Sequence, residues 1–231
     1  MTTLMIDAGP VGADAPVTRV GGVPLAPEGT AWPGCSACDG PMQFLAQVLL
    51  DDLGGGGSER RGVLALFACQ NDPGACADWD PTSGGNRALL LPPDGLRPIP
   101  LPDRAEAGAD DEAGDEDEDE DEDEESVLLL GATRAVHLQD EDEPDYHLAR
   151  AAWATRAGRP ESAVLGRLGG SPDWLQYDET PTCPSCARPM PLIAQLQEGP
   201  DPITAMNFGG GGRAYAFACE PCSGAAFLWQ C

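Results

Sequence analysis

The chain contains no lysine. All 13 of its basic residues are arginine, set against 39 Asp and Glu, for a formal charge of −26. Non-specific grip on nucleic acid rests on Lys and Arg neutralising backbone phosphates. So acidic a body argues against direct nucleic-acid binding and suits a basic protein partner better. Histidine is scarce too: only His137 and His147 are present. Neither lies in a Cys-His or Ser-His-Asp pattern, so both are expected at the surface or in capping roles. No stretch reaches the ~18 consecutive apolar residues of a membrane span. Met1 to Val20 lacks the basic start and apolar middle of a secretory leader, so the expected compartment is the cytoplasm. There, paired cysteines more often hold metal than form disulfides.

Glycine and proline are abundant instead: 29 Gly and 23 Pro make up over a fifth of the 231 residues. Such a composition disfavours long helices and favours short strands with many turns. Within it one stretch occurs twice. Arg19-Val20-Gly21-Gly22-Val23-Pro24, Cys35-Ser36-Ala37-Cys38, Pro41-Met42 and Ala46-Gln47 return as Arg167-Leu168-Gly169-Gly170-Ser171-Pro172, Cys183-Pro184-Ser185-Cys186, Pro189-Met190 and Ala194-Gln195. Every matched pair is 148 positions apart. Phe67-Ala68-Cys69 and Phe217-Ala218-Cys219 match at a spacing of 150. A repeat of this kind predicts a duplicated, pseudo-symmetric body, mainly β with minor α.

The expected parts are a first half over residues 1–102, an acidic insert over 103–126, and a linker with the second half over 127–231. Met1 to Thr18 reads as a loose lead-in. Strands are expected within Val17–Val23 and over Gln43–Leu50, Gly62–Phe67, Asn86–Leu91, Val127–Gly131, Arg134–Leu138, Leu192–Leu196 and Arg213–Ala218. The glycine runs Gly54 to Gly57 and Gly209 to Gly212 fall between strands, as hairpin connections do; neither is followed by the Lys and Ser/Thr of a phosphate cradle. Asp110 to Glu125 holds 14 acidic residues. Such a run cannot bury itself and is expected to be disordered, either as a solvating loop insertion or as bait for an Arg/Lys-rich client. One amphipathic helix is expected over Tyr146–Ala157, with Asp145 as its N-cap and Gly158 as its C-cap. Leu148, Ala152 and Thr155, with Trp153 beside them, are its expected core face.

Nine cysteines remain. In the second half Cys183-x2-Cys186 and Cys219-x2-Cys222 are two knuckles about thirty residues apart. Brought together they form a tetrahedral shell of four thiolates, which suits zinc in a zinc-ribbon-like arrangement. In the first half Cys35-x2-Cys38 is the same knuckle, but its partner is Cys69-x6-Cys76. The wider spacing could be an expanded loop in an intact site, or a decayed copy that takes a ligand from elsewhere. Cys231 has no counterpart and is expected to be a free thiol. A four-thiolate shell leaves no open position, so one or two structural Zn2+ ions are expected rather than catalytic ones. Asp178-Glu179 reads as a solvated turn before Pro181, and no catalytic signature is present, so the chain is not expected to be an enzyme.

The second copy, from Arg167 through Asp173-Trp174-Leu175-Gln176 and Asp178-Glu179-Thr180-Pro181-Thr182 to Cys183-Pro184-Ser185-Cys186 and Pro189-Met190, with Phe217-Ala218-Cys219 and the closing Ala226-Phe227-Leu228-Trp229-Gln230, resembles the bacterial YwqG-like family. That family is similar to the eukaryotic programmed cell death protein 2 family. The likeness covers most of Arg19 to Leu91 and Gly166 to Gln230, and the acidic insert departs from it. It implies a duplicated, mostly β body with the cysteines as ligands. For the eukaryotic relatives it implies a cytosolic chaperone-like role toward a small-subunit ribosomal protein; for the bacterial branch it implies no settled activity. Together these readings point to a zinc-binding protein-interaction module, a chaperone or adaptor for a basic client such as a ribosomal protein. The alternatives are an RNA-associated ribosome-maturation factor and an enzyme on a metal scaffold.

Overall fold

The computed structural model describes residues 1–54, 61–71, 75–102, 128, 130–199 and 206–231. The acidic insert lies outside the described residues, as do Gly55 to Gly57 and residues 72–74. The strands are β1 (Thr2–Pro10), β2 (Arg19–Val20), β3 (Leu25–Ala26), β4 (Gln43–Leu49), β5 (Val63–Ala68), β6 (Asn86–Leu91), β7 (Arg97–Pro98), β8 (Arg134–Glu141), β9 (Val164–Leu168), β10 (Leu192–Gln197), β11 (Arg213–Cys219) and β12 (Gly224–Gln230). The helix α1 spans Tyr146–Ala157. The chain is mainly β, as expected.

Strands β5 and β11 are buried on both faces, with side chains alternating between two cores. On β5, Leu64, Leu66 and Ala68 join the large inner core, while Ala65 and Phe67, with Cys69 beyond them, face outward. On β11, Ala214, Ala216 and Ala218 point in, and Tyr215, Phe217 and Cys219 point out.

Ten strands form one sheet in the order β12-β11-β10-β9-β1-β8-β2-β4-β5-β6, with β3 and β7 paired separately. Neighbours in it are antiparallel. The sheet curls until its edges almost meet. There the Trp229 amide donates to the Trp79 carbonyl at 3.3 Å. The Trp229 indole N–H donates to Asp78 Oδ2 at 3.2 Å, and Arg61 pairs with Glu220. The result is a nearly closed barrel whose interior takes residues from both ends of the chain, among them Leu45, Leu66, Leu165, Ile193 and Phe227. Its outer face carries three separate apolar patches: one under α1 and one under each group of four cysteines.

The two ends of the sheet share details. Gly21 and Gly22 turn with φ of 68° and 75°, and Gly169 and Gly170 with 61° and 78°. The Gly21 amide donates to Leu45 O and the Gly169 amide to Ile193 O, each at 2.8 Å. Leu45 and Ile193 are both the unpaired residue of a β-bulge. Each such bond thus recurs at the 148-residue offset read in the sequence.

Three expectations need correction. Met1 to Thr18 is not a loose lead-in: Thr2–Pro10 is β1, which sits mid-sheet between β9 and β8 with Leu4 and Met5 fully buried. The run Thr2-Thr3-Leu4-Met5-Ile6 is short but rich in residues that pack on a pleated surface. The described part of Val127–Gly131, namely Leu128, Leu130 and Gly131, is not strand. The helix has its expected caps, with Asp145 accepting from the Leu148 amide and Gly158 left-handed at φ 63°. Its buried face, however, is Tyr146, Ala149 and Trp153, packed on Leu4, Ile6 and Val164, whereas Leu148, Ala152 and Thr155 are exposed. The large rings win the core because each buries far more apolar area than Ala or Thr.

Strands β9 and β12 were not among the expected elements. In β9, Gly166 is required: its φ is +156°, and a Cβ there would lie 2.0 Å from Gln195 O. The register slips at this point, between Met5↔Gly166 and Ile6↔Val164.

Candidate metal centres

Each knuckle is built by a narrow loop on the outer face of the barrel. An isolated bridge, Gly34↔Pro41 in the first half and Thr182↔Pro189 in the second, pinches its neck. Within the loop the Asp39 amide returns to Cys35 O and the Ala187 amide to Cys183 O, both at 2.9 Å. Asp39 and Ala187 are left-handed, each with φ 56°. The partner cysteines follow strands: Cys69 leaves β5, and Cys219 ends β11. A single 3-10 turn, Glu220–Cys222, brings Cys222 round before β12, with Pro221 in its first positions. In the first half Cys76 takes the corresponding place in the group. Gly85 packs so close to it that a Cβ there would meet Cys76 O at 2.1 Å, and its carbonyl accepts from the Cys69 amide at 2.8 Å.

The structure brings all eight predicted cysteines into two groups, Cys35, Cys38, Cys69, Cys76 and Cys183, Cys186, Cys219, Cys222. Within each group the four Sγ atoms lie within 4.8 Å of one another. The six-residue spacing therefore leaves the first group intact. A tetrahedron of sulfurs about 2.3 Å from a central ion has edges of roughly 3.8 Å. The Cys38–Cys69 and Cys186–Cys219 sulfurs are 3.7 and 3.8 Å apart. Both groups fit a metal ion bound by sulfur alone.

The thiols of each group differ in their ease of ionisation. Cys186 is drawn down to about 6, first by the Arg188 guanidinium on its sulfur. Cys222 is pushed up to about 12 by the Cys186 and Cys219 thiols, with burial adding to it. Burial likewise pushes Cys76 far above the ordinary thiol range. In the second group Cys183 and Cys186 are drawn down while Cys219 and Cys222 are pushed up, and a bound cation would favour the ionised form of all four.

Polar neighbours that spacing could not reveal surround the sulfurs. The Ala37 amide donates to Cys35 Sγ at 3.4 Å. Asn71 Nδ2 reaches Cys69 Sγ at 3.3 Å and Cys38 Sγ at 3.5 Å. Such donors orient ligands and tune their charge. Cys231 is an exposed free thiol. His137 is exposed, and His147 sits 3.0 Å from Asp173 and 3.1 Å from Arg213. Asp178 is exposed, its carboxylate taking the Thr180 amide and hydroxyl, as in a turn.

Each half also holds a buried Arg–Gln pair facing across neighbouring strands: Arg19 with Gln47, and Arg167 with Gln195. Gln47 accepts from the Leu25 amide at 3.1 Å, and Gln195 from the Asp173 amide at 2.9 Å. The arginines differ. Arg19 donates to Gly12 O, Ala13 O and Val23 O at 3.2, 2.6 and 2.5 Å. Arg167 has no hydrogen-bond acceptor among the described residues and lies over the Tyr146 ring at 6.0 Å. All four residues belong to the stretch that occurs twice in the sequence.

Asp78, beside the first group, is 4% exposed, and burial holds its carboxyl above the usual range. A carboxyl raised on folding adds stability that is fully present below its unfolded pKa of about 3.9 and is lost as pH rises through the folded value. Relative to Asp78→Asn, the native chain should therefore gain stability on acidification toward pH 4. Urea midpoints of the two proteins at a series of pH values check this; parallel curves would rule it out.

The profile of a family described as "Domain of unknown function (DUF1963)" matches residues 18–217. An uncharacterized protein, YpfL, of Salmonella typhimurium (strain LT2) is 38% identical over 67 residues, which is 29% of this chain and 15% of that protein. The match thus spans a small part of that relative's length.

Proposed function

The chain belongs to the DUF1963 family of unknown function, and from that premise we propose that it is a zinc-stapled protein-interaction module. In this reading it acts as a chaperone or adaptor in the cytoplasm for a basic client such as a ribosomal protein, and it is not an enzyme. The two cysteine-bearing stretches are copies of one unit, as the likeness to the YwqG-like family implies. Zinc is the metal of choice for four thiolates at these separations, and four protein sulfurs leave it no position for water or substrate. Its part is then to fasten each knuckle over the barrel, with no step of a reaction passing through it.

The observation that carries the reading is the pairing of two such closed centres with a charge of −26 and no lysine. Six of the eleven arginines among the described residues are paired with acids. Arg61, Arg97, Arg134, Arg150, Arg156 and Arg213 all stand against carboxylates. That arrangement favours a protein client over RNA, whose phosphates need unpaired basic groups. Purified basic ribosomal proteins and RNA, each offered to the full chain at low and moderate salt, test it. Salt-weakened capture of a basic protein is expected. Capture of RNA alone, or of nothing at either salt, overturns it.

A further inference from the structure

The seam where the edges of the barrel meet holds an open cavity of about 860 Å³. Three of its wall residues are Trp79, Tyr177 and Trp229. Trp79 is 44% exposed and Tyr177 67%, and they are the only large aromatic side chains so exposed among the described residues. Exposed apolar surface costs free energy, and two large rings exposed on one cavity mark a place where something binds.

The walls are held in place before anything arrives. Trp79 and Trp229 meet edge to face, with centroids 6.1 Å apart and planes at 80°. The Trp229 indole N–H is fixed by Asp78, and its ring packs against Phe208. Gln230 Nε2 donates to Tyr177 O at 2.9 Å and to Glu179 Oε2 at 2.7 Å, tying that side of the wall to β12. The wall's ionisable side chains include the carboxylates Asp80 and Glu179, and among the described residues no basic side chain lines it.

We propose that this aromatic and acidic cavity receives an arginine side chain from a basic segment of a protein partner. A planar guanidinium stacks on indole and phenol faces and donates in pairs to carboxylates, which a lysine ammonium does less well. The volume exceeds one side chain, leaving room for flanking backbone. The two carboxylates repel a phosphate-bearing ligand whose bases would otherwise stack on the same rings. This proposal rests on the reading of the protein as a binder of basic clients, and it names the point of contact.

The test uses the full chain and short blocked peptides, Gly-Arg-Gly-Arg-Gly with its Lys and Glu counterparts, and an oligouridine, followed by tryptophan fluorescence. The arginine peptide should bind saturably and several-fold more tightly than the lysine peptide. The Glu peptide and the oligouridine should not bind. Trp79→Ala and Tyr177→Ala, at exposed positions, should each weaken the arginine peptide roughly tenfold with far-UV spectra unchanged. Glu179→Gln gives a second reading that keeps the rings. No saturable binding, equal binding of the Arg and Glu peptides, preference for the oligonucleotide, or affinity untouched in all three variants would each overturn the cavity assignment. Capture of a basic protein that survives those variants would do so too, while leaving the client reading standing. Variant-sensitive peptide binding without capture of any basic protein supports the cavity and sinks the client reading.

Discussion

Removing metal from the full chain is expected to abolish most of its far-UV β signal and its cooperative melt. The native protein should carry two zinc ions per chain, one for each cysteine group. Structural zinc in small domains is coupled to folding by on the order of 10 kcal/mol in apparent terms, comparable to the whole stability of an ordinary domain. The cysteines also anchor the outer patches: Phe44, Phe67 and Trp32 in the first half, and Tyr215, Phe217 and Trp174 in the second. Losing an ion therefore releases a loop and uncovers the rings beneath it. Because one inner core serves both ends of the sheet, damage at either end should be felt at the other, and a single transition is expected. Cys222→Ser should lower the zinc content from two to one and depress the melting temperature. Metal analysis with circular dichroism decides the matter: a spectrum and melt unmoved by exhaustive chelation would refute a structural metal.

Arg19→Met should cost about 2–4 kcal/mol, and Arg167→Met should cost much less. The two residues sit at matching positions and both are buried, Arg19 completely and Arg167 to within 8%. Arg19 serves three backbone carbonyls, of Gly12, Ala13 and Val23. Methionine there would strand those acceptors and free the chain that leads into β2. Arg167 has no such acceptors among the described residues, so replacing it removes a buried charge while keeping most of its apolar stem. Denaturant midpoints of the two variants compare the costs directly. Equal losses would show that burial of the stem, and not the carbonyl contacts, sets the stability of both.

Much of the candidate site was legible because sulfur spacing is a local signal. Cys183-x2-Cys186 and Cys219-x2-Cys222 could be paired from the sequence. Cys76 was uncertain, since a six-residue gap says nothing about where a loop folds. The strands around Phe67 and Phe217 were readable from their unbroken apolar runs, which both faces of a buried strand require. β1 was not, because its central place depends on partners more than a hundred residues away, such as Thr2↔Glu141 and Thr3↔Leu168. The helix ends were clear from Asp145 and Gly158, which act within one turn. Its buried face was misjudged because only the neighbouring Leu4, Ile6 and Val164 reveal which side must be covered. Asn71 and Arg188 escaped notice for the same reason: a donor to sulfur carries no spacing of its own.

The mid-sheet position of β1 has a consequence for synthesis on the ribosome. This strand emerges before its neighbours but cannot be paired on both sides until β8 and then β9 have been made. The nascent chain must carry Leu4, Met5 and Ile6 without both neighbours until β8 (Arg134–Glu141) and β9 (Val164–Leu168) have been translated. Contacts between residues so distant in the chain form slowly, and exposed strands meanwhile invite wrong pairings. Production at lower temperature or with added folding helpers should therefore raise the yield of native protein more than it would for a barrel whose strands pair in the order they appear.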